Sequence, residues 1–310
     1  HEPVSHGTAL FPIALYEITS TLWMEERIWY HWHEELEILV VTRGCARMNI
    51  AGRSHDIREQ DIVIVPSGAL HSASRTPGHP FCYFALVFSP SFLDRSGSDD
   101  IYRKYIAPVF ETRLPFPEHI VPHGAWNQER LTLLYSIRDL FAEKAPGFEL
   151  LVKARLLEIW HALAARSIPA SSPKPGEDRA AHHIKPVLAY LQKNYRRQIS
   201  LREVADAVHM SEGHLCRLFR SVTGMTLTDY LHLYRISVSA DLLIQNRYSI
   251  SEVAGMTGFN NISYFNKIFL RSMHMTPTQF PQSHPPPPLS SPTPYLPGQP
   301  PWPTPPHPPP

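Results

Sequence analysis

The stretch that decides the fold of the C-terminal half is SISEVAGMTGFNNISYFNKIFLRSMHMTP, residues 249–277. Ser249 is followed three residues later by Glu252, the spacing at which both side chains cap the free amides of a first helical turn. Further on, Phe265 and Phe269 are four residues apart, so they share one face of a second helix. The stretch therefore predicts two helices joined by a tight turn, with one face of the second helix buried.

The same pattern occurs upstream as SLREVADAVHMSEGHLCRLFRSVTGMT, residues 200–226. Ser200 and Glu203 repeat the capping pair, and Leu215 with Phe219 repeats the buried pair. The offset between the copies is 49 residues in the first helices and 50 in the second, which places one extra residue in the second turn. The C-terminal half is thus predicted to contain two helix-turn-helix units.

Two further features complete this predicted all-α domain. Ser211 and Asn260 are the expected N-caps of the second helices, because short polar side chains satisfy the first amides of a helix. Between the units, a segment from about Leu227 to Asn246 is amphipathic and predicts a long spacer helix. Two recognition helices on one such rod can enter successive major grooves, about 34 Å apart.

The second helix of each unit turns polar side chains away from its buried pair. Such side chains form hydrogen bonds to base edges and phosphates. The predicted DNA-binding residues are Glu212, His214, Arg217 and Arg220 in the first unit, and Asn261, Ser263, Lys267 and Arg271 in the second. The charge distribution is also compatible with binding to nucleic acid. Residues 180–280 hold 11 Lys+Arg against 6 Asp+Glu, while the remainder of the chain is net negative.

The N-terminal half has a different pattern, made of short β-rich runs separated by turn signals. The runs are 36–42, 61–65 and 81–88, and the turn signals are Gly44, 51–52, 66–68 and 76–78. This spacing is typical of an antiparallel sandwich or small barrel. Helical periods follow, with Leu131, Leu134 and Phe141 in one segment and Leu151, Ala154, Leu157 and His161 in the next. They predict an antiparallel helical hairpin that covers the barrel or forms a dimer interface.

The segments outside these patterns set the predicted boundaries. Residues 167–180 include a Pro- and Ser-rich stretch that reads as a linker, and residues 281–310 contain 16 of the 32 prolines, which predicts a disordered tail. We therefore expect a barrel and dimerisation domain in residues 1–166 and a DNA-binding domain in residues 181–280. No apolar run is long enough to span a membrane and no secretory signal pattern is present, which predicts a cytoplasmic protein.

Four side chains of the N-terminal half form a candidate ligand or metal site. His31, His33 and Glu37 are spaced so that strand alternation would place them on one face, and His71 can approach from a neighbouring strand. Three imidazoles and a carboxylate suit a first-row divalent metal. The residues also fit a metal-free ligand pocket, or a core in which the histidines form hydrogen bonds to their neighbours.

Both halves resemble known proteins. The stretch GlyPhe-x-x-x-SerTyrPhe-x-Lys-x-Phe at 258–269, followed by ThrPro at 276–277, resembles the signature of the AraC/XylS family of transcriptional regulators. In that family Arg217 and Lys267 would occupy positions that reach base edges, while His274 stands where glycine is usual. The sequence His31-x-His33-x-x-x-Glu37, followed by Pro66-x-Gly68-x-x-His71, resembles the two cupin motifs.

The resemblance implies a regulator that binds double-stranded DNA, with a cupin-like barrel that senses a small molecule, often a sugar, usually without a metal. A homodimer is expected, and RNA polymerase would be a partner if the protein activates transcription. Two alternatives stay open: a metal-dependent cupin enzyme, such as an isomerase or dioxygenase, fused to a DNA-binding domain, and a barrel that only dimerises. The enzyme hypothesis leaves residues 181–280 unexplained.

Overall fold

The protein is described here from a computed structural model, which covers residues 6–18, 27–76, 78–94, 99–111, 114, 116–122, 124–166 and 177–283. The described residues divide into two compact units, one ending at Arg166 and the other starting at Glu177. Most of the predicted linker and tail, residues 167–176 and 284–310, lie outside the described residues. Among the helices within them, none is long and apolar enough to cross a membrane.

The first unit is built on antiparallel strands, as the alternating pattern predicts. They are β1 (Ile13–Ile18), β2 (Arg27–His31), β3 (Leu36–Ile50), β4 (Arg53–Arg58), β5 (Ile62–Val65), β6 (His71–Arg75), β7 (Phe81–Phe88) and β8 (His119–Ile120). The first half of β3 pairs with β5 and β7, and its second half pairs with β4 and β6. The strand β3 thus belongs to both halves of the sheet, and the two halves enclose an apolar interior.

The length of β3 corrects one prediction. Gly44 was expected to end a strand, but β3 continues through it to Ile50, with a bulge between Val41 and Arg43. Gly44 has a φ of +84°, and a Cβ at this position would collide with the Pro80 carbonyl. The glycine is therefore required by a close approach of two strands and not by a turn.

Helices cover one face of the sheet. They are α1 (Pro90–Leu93), a π-helical turn (Tyr102–Ile106), α2 (Ala107–Phe110), α3 (Ala125–Glu143) and α4 (Phe148–Ala164). The predicted hairpin is confirmed, because α3 and α4 pack side by side. Leu131, Leu134 and Ile137 of α3 are buried against the sheet core.

The buried face of α4 is not the predicted one. Leu151 and Leu157, two members of the predicted stripe, are 51% and 38% exposed. The core instead receives Val152, Leu156, Ile159, Trp160 and Leu163. Because α4 carries apolar residues on both sides, its period alone cannot tell which side is buried. The exposed apolar side is taken up below.

The second unit contains only helices among its described residues. They are α5 (Glu177–Asn194), α6 (Leu201–Ala207), α7 (Glu212–Thr223), α8 (Leu227–Ile244), α9 (Ile250–Met256), α10 (Ile262–Met273) and α11 (Phe280–Ser283). The helix α5 begins inside the segment predicted as a linker, and α11 extends into the segment predicted as a tail. The pairs α6–α7 and α9–α10 are the two predicted helix-turn-helix units, joined by the long helix α8.

The capping residues explain where these helices begin. Both capping boxes are present, with the Ser200 hydroxyl accepting from the Glu203 amide and the Ser249 hydroxyl from the Glu252 amide. Ser211 caps α7 as predicted. The prediction of Asn260 as the cap of α10 is wrong, since the neighbouring Asn261 accepts from the Tyr264 amide at 2.9 Å. Two adjacent asparagines made the sequence ambiguous at this point.

A buried arginine of α8 connects the two helix-turn-helix units. Arg235 is 4% exposed, and its guanidinium donates to the carbonyls of Tyr195 and Arg197, at 2.8 and 2.7 Å, in the segment before α6. The same guanidinium lies 5.6 Å from the ring centre of Phe259, in the turn of the second unit. One side chain therefore links the segment before the first helix-turn-helix unit to the turn of the second helix-turn-helix unit.

Candidate functional site

The second helices of the two units have the same pattern of burial. In α7 the buried residues are Leu215, Phe219 and Thr223, and in α10 they are Phe265, Phe269 and Met273. The order of buried, half-buried and exposed positions in residues 211–223 is the same as in residues 261–273. Each helix thus packs one apolar face against its own helix-turn-helix unit and keeps the opposite face at the surface.

All eight residues predicted to bind DNA are exposed. Glu212, His214, Arg217 and Arg220 lie on the outer face of α7, whereas Ser263, Lys267 and Arg271 lie on that of α10, with Asn261 at its N-cap. Arg217 and Lys267 occupy equivalent positions at an offset of 50 residues. Arg220 and Arg271 are not equivalent, because the same offset pairs Arg220 with Leu270. The cap uses the side-chain oxygen of Asn261 and leaves its amide group for an outside partner.

Two apolar residues on the same surface were missed as candidates. Ile262 and Tyr264 are both 44% exposed in the first turn of α10, the part of a recognition helix that contacts bases. The ring of Tyr264 makes an edge contact with His232 of α8, at 5.4 Å between centres. For Tyr264 the signal was available, because a helical residue directly before the buried Phe265 cannot share its face. For Ile262, three residues before Phe265, the spacing gave no such signal.

The four candidate ligands of the N-terminal unit come together in its interior. His31 ends β2, His33 lies in the loop that follows, Glu37 is on β3 and His71 begins β6. All four are at most 4% exposed, and one potential ligand atom from each lies within 4.8 Å of the others. The structure therefore brings together the four residues that the sequence singles out.

The reason for their convergence differs from the predicted one. The residues do not alternate along a single strand, because the chain turns between His31 and Leu36. His31 is instead placed opposite His71 by the pairing of β2 with β6. Glu37 alternates with the inward-facing Leu39 and Val41, so β3 delivers it into the same interior.

The carboxylate lies at the centre of the cluster. Its Oε2 atom is 3.3 Å from Nε2 of His33 and 3.2 Å from Nε2 of His71. Burial works against ionisation of Glu37, but hydrogen bonds and charge from the two histidines outweigh it and hold the pKa of this carboxyl well below its usual range. The cluster therefore contains a buried anion.

A further histidine lies beside the cluster. His6, from the N-terminal segment, is 3% exposed, and its ring centre is 5.2 Å from that of His33. Its Nδ1 atom is 2.9 Å from the hydroxyl of Tyr16. Burial, with a smaller effect from the charge of His33, lowers the pKa of His6 from 6.5 to about 4. Nothing in the sequence between His6 and His31 signals this proximity.

Two family models match the chain. Residues 14–160 match the AraC-like ligand binding domain, and residues 204–283 match a helix-turn-helix domain. The first match contains the whole His31, His33, Glu37 and His71 cluster. The second contains both recognition helices. The models thus assign ligand binding and DNA binding to the two units that hold these sites.

Relatives of similar length match over most of this chain. The uncharacterized HTH-type transcriptional regulator YdeC of Bacillus subtilis is 28% identical over 280 residues, which cover 90% of this chain and 94% of the relative. The melibiose operon regulatory protein of Escherichia coli is 21% identical over 257 residues, covering 81% and 82%. A crystal structure of ToxT from Vibrio cholerae O395 is 14% identical, covers 87% of this chain and 96% of that chain, and has a TM-score of 0.44.

The resemblance seen in the sequence is confirmed for both halves. An antiparallel sheet domain with a ligand-binding match precedes a helical domain with two helix-turn-helix units, and relatives that match over most of this chain are transcriptional regulators by name. The chain belongs to the AraC family of transcriptional regulators.

Proposed function

We propose that this regulator recognises a two-part DNA site, with α7 reading one part and α10 the other. The observation that carries the proposal is the identical burial pattern of the two helices, which leaves an equivalent outer face on each. In this assignment Arg217 and Lys267 reach base edges, and His214 and Ser263 lie beside them. Glu212, Arg220, Asn261 and Arg271 complete the contacts, including those to phosphates.

The N-terminal unit, residues 1–166, would bind the effector, and residues 181–280 would bind DNA. A small molecule bound among His31, His33, Glu37 and His71 would favour one arrangement of the protein and so change its affinity for the operator. Carbohydrate is the effector class expected from the sequence. The printed name of the melibiose operon relative supports that class for the relative, and we extend it to this chain only as a proposal.

A homodimer is the proposed functional form, and the exposed side of α4 supports it. Leu150 is 76% exposed, and Leu157, two turns away on the same side, is 38% exposed. Replacing both by glutamate is expected to give monomers in sedimentation velocity. Leu10 is 80% exposed in the same unit, so Leu10→Glu is the matched control and should leave the dimer intact. A dimer that survives the double substitution would rule out this face.

In this proposal the protein is a regulator that binds DNA in the cytoplasm and has no catalytic activity. RNA polymerase would be its partner if it activates transcription. The buried donor set favours one second candidate, a metal-dependent cupin enzyme, in which His31, His33, Glu37 and His71 would hold a catalytic metal. That candidate predicts turnover of a substrate, whereas the regulator predicts only an effect of ligand on DNA binding.

The direct test is selection of binding sites from a random DNA pool with the purified full-length chain at physiological salt. We expect enrichment of sites with two conserved parts about one helical turn apart. The control protein carries Arg217→Ala together with Lys267→Ala, which should abolish the enrichment without changing the melting temperature. If wild-type protein enriches no sequence, the proposed DNA recognition is wrong.

A further inference from the structure

The orientation of two buried histidines shows what the cluster is built to hold. Nδ1 of His33 lies 3.1 Å from the carbonyl oxygen of Glu35, and Nδ1 of His71 lies 2.9 Å from that of Ala69. Because a carbonyl oxygen can only accept, each Nδ1 carries the hydrogen. Each ring is thereby fixed with its Nε2 atom directed at the carboxylate of Glu37.

The two rings converge on one atom. Nε2 of His33 and Nε2 of His71 lie 3.3 and 3.2 Å from the same oxygen, Oε2 of Glu37. His31 adds a third imidazole, and one potential ligand atom from each of the four residues lies within 4.8 Å of the others. Ring nitrogens and a carboxylate oxygen gathered this closely are the donor atoms that a metal ion needs.

The surroundings match those of protein metal sites. Histidine ligands usually donate their second ring nitrogen to a carbonyl or carboxylate, which orients the ring toward the metal. His33 and His71 both do so, and the carboxylate of Glu35 also lies 3.8 Å from Nδ1 of His33. Three imidazoles and one carboxylate favour first-row ions such as Zn²⁺, Co²⁺ or Ni²⁺ over Mg²⁺ or Ca²⁺.

His6 links this cluster to the N-terminal segment. His6, His33 and Glu35 form a second group in which one potential ligand atom from each lies within 4.8 Å of the others. The segment is held in place by two backbone hydrogen bonds between Thr8 and Phe11, at 2.9 and 3.1 Å. The ring of Phe11 packs on Phe92, Phe141 and Phe148. His6 is thus placed against His33 by a folded segment.

We propose that His31, His33, Glu37 and His71 hold a divalent first-row metal ion, that this ion is part of the effector site, and that His6 is a positioning residue for His33. The inference rests on the proposed function, in which the N-terminal unit senses the effector. His6 restricts the ring of His33, so it strengthens metal binding without being required for it.

The test is a titration of the chelator-treated full-length chain with Co²⁺ and Zn²⁺ against a competing chelator. We expect one ion per chain. His71→Ala should weaken binding at least 100-fold, and His6→Ala about 10-fold, with a changed Co²⁺ absorption spectrum. His79→Ala, at an exposed histidine of the same unit, is the matched control and should change neither quantity. If a variant does not fold, the titration of the wild-type chain still tests whether one metal ion binds per chain.

Operator binding is measured on the same metal-free and metal-loaded samples. The proposal expects at least a fivefold difference in affinity between them. Absence of a bound ion, equal operator affinity in the two states, or a response to carbohydrate in metal-free protein would overturn the metal proposal. Specific DNA binding would remain intact in each of those cases. Tight metal binding with no specific DNA binding in either state would instead overturn the proposed function.

Discussion

The two helix-turn-helix units share a core but differ at their surfaces. Their buried positions coincide from cap to C-terminus, yet the outer face of α7 begins with Glu212 and His214, whereas that of α10 begins with Ile262 and Tyr264 at the equivalent positions. At these positions the first helix-turn-helix unit therefore presents charged and hydrogen-bonding side chains to DNA, and the second presents apolar side chains suited to thymine methyl groups. The inward residues maintain the fold, while the outward residues are available for different recognition.

The turns of the two units differ most, and this predicts the largest effect. His209 and Gly258 are equivalent, with φ of +55° and +86°, and a Cβ at Gly258 would collide with the Tyr195 carbonyl. Gly258→Ala should reduce the free energy of unfolding by about 3 kcal/mol, through steric overlap and backbone strain. His209→Ala, the control, should cost less than about 1 kcal/mol. Urea denaturation checks both values, and equal losses would show that the turns are alike.

The surface difference is tested by Arg217→Ala and Lys267→Ala. Each variant should lose about 1 to 3 kcal/mol of operator binding and relax specificity in its own part of the site. The measurement is titration of the selected operator and of copies mutated in one part only. An equal loss on random DNA would instead identify a phosphate contact. If both variants relax the same part, the proposed division of labour is wrong.

The capping boxes test whether the units contribute equally to stability. Ser200→Ala and Ser249→Ala each remove a hydroxyl that accepts from the first turn of the following helix. We expect each substitution to reduce the free energy of unfolding by about 1 kcal/mol. Ser263→Ala, at an exposed serine of α10 that caps no helix, is the control. A loss confined to one copy would mean that the units unfold separately.

The smallest effect is expected at the ends of the recognition helices. Gly224 ends α7 with a φ of +72°, and His274 ends α10 with a φ of +55°. The departure from glycine at His274 therefore leaves the turn intact. His274→Gly should raise the free energy of unfolding by at most about 1 kcal/mol, because glycine relieves left-handed strain but gains entropy in the unfolded chain. A decrease in stability would show that the histidine side chain makes a contact of its own.

The sequence was most informative where local chemistry decides the structure. Capping pairs such as Ser249 with Glu252 depend on spacing within one turn, so both units could be predicted. The buried face of α4 could not, because leucines lie on both of its sides and only tertiary packing chooses between them. The path of β3 through Gly44 was missed for a similar reason, since the residue that requires glycine there, Pro80, is distant in sequence.

The candidate site also combines features that the local sequence reveals with features that only the tertiary structure sets. The motifs identified His31, His33, Glu37 and His71, but not that a strand pairing and a loop bring them together. His6 was missed because nothing near it in the sequence marks it as a ligand-site residue. Its place depends on how the N-terminal segment folds over the sheet, which is a property of the tertiary structure.

The buried guanidinium of Arg235 has a consequence for the DNA itself. Because it fastens the segment before α6 to the turn before α10, we expect the two recognition helices to move as one body. One extra base pair between the two parts of an operator would rotate them by about 35° relative to each other. With Arg235 bonded in this way the two helices should not follow that rotation, so we expect the spacing between the two parts of an operator to vary less than their base sequence.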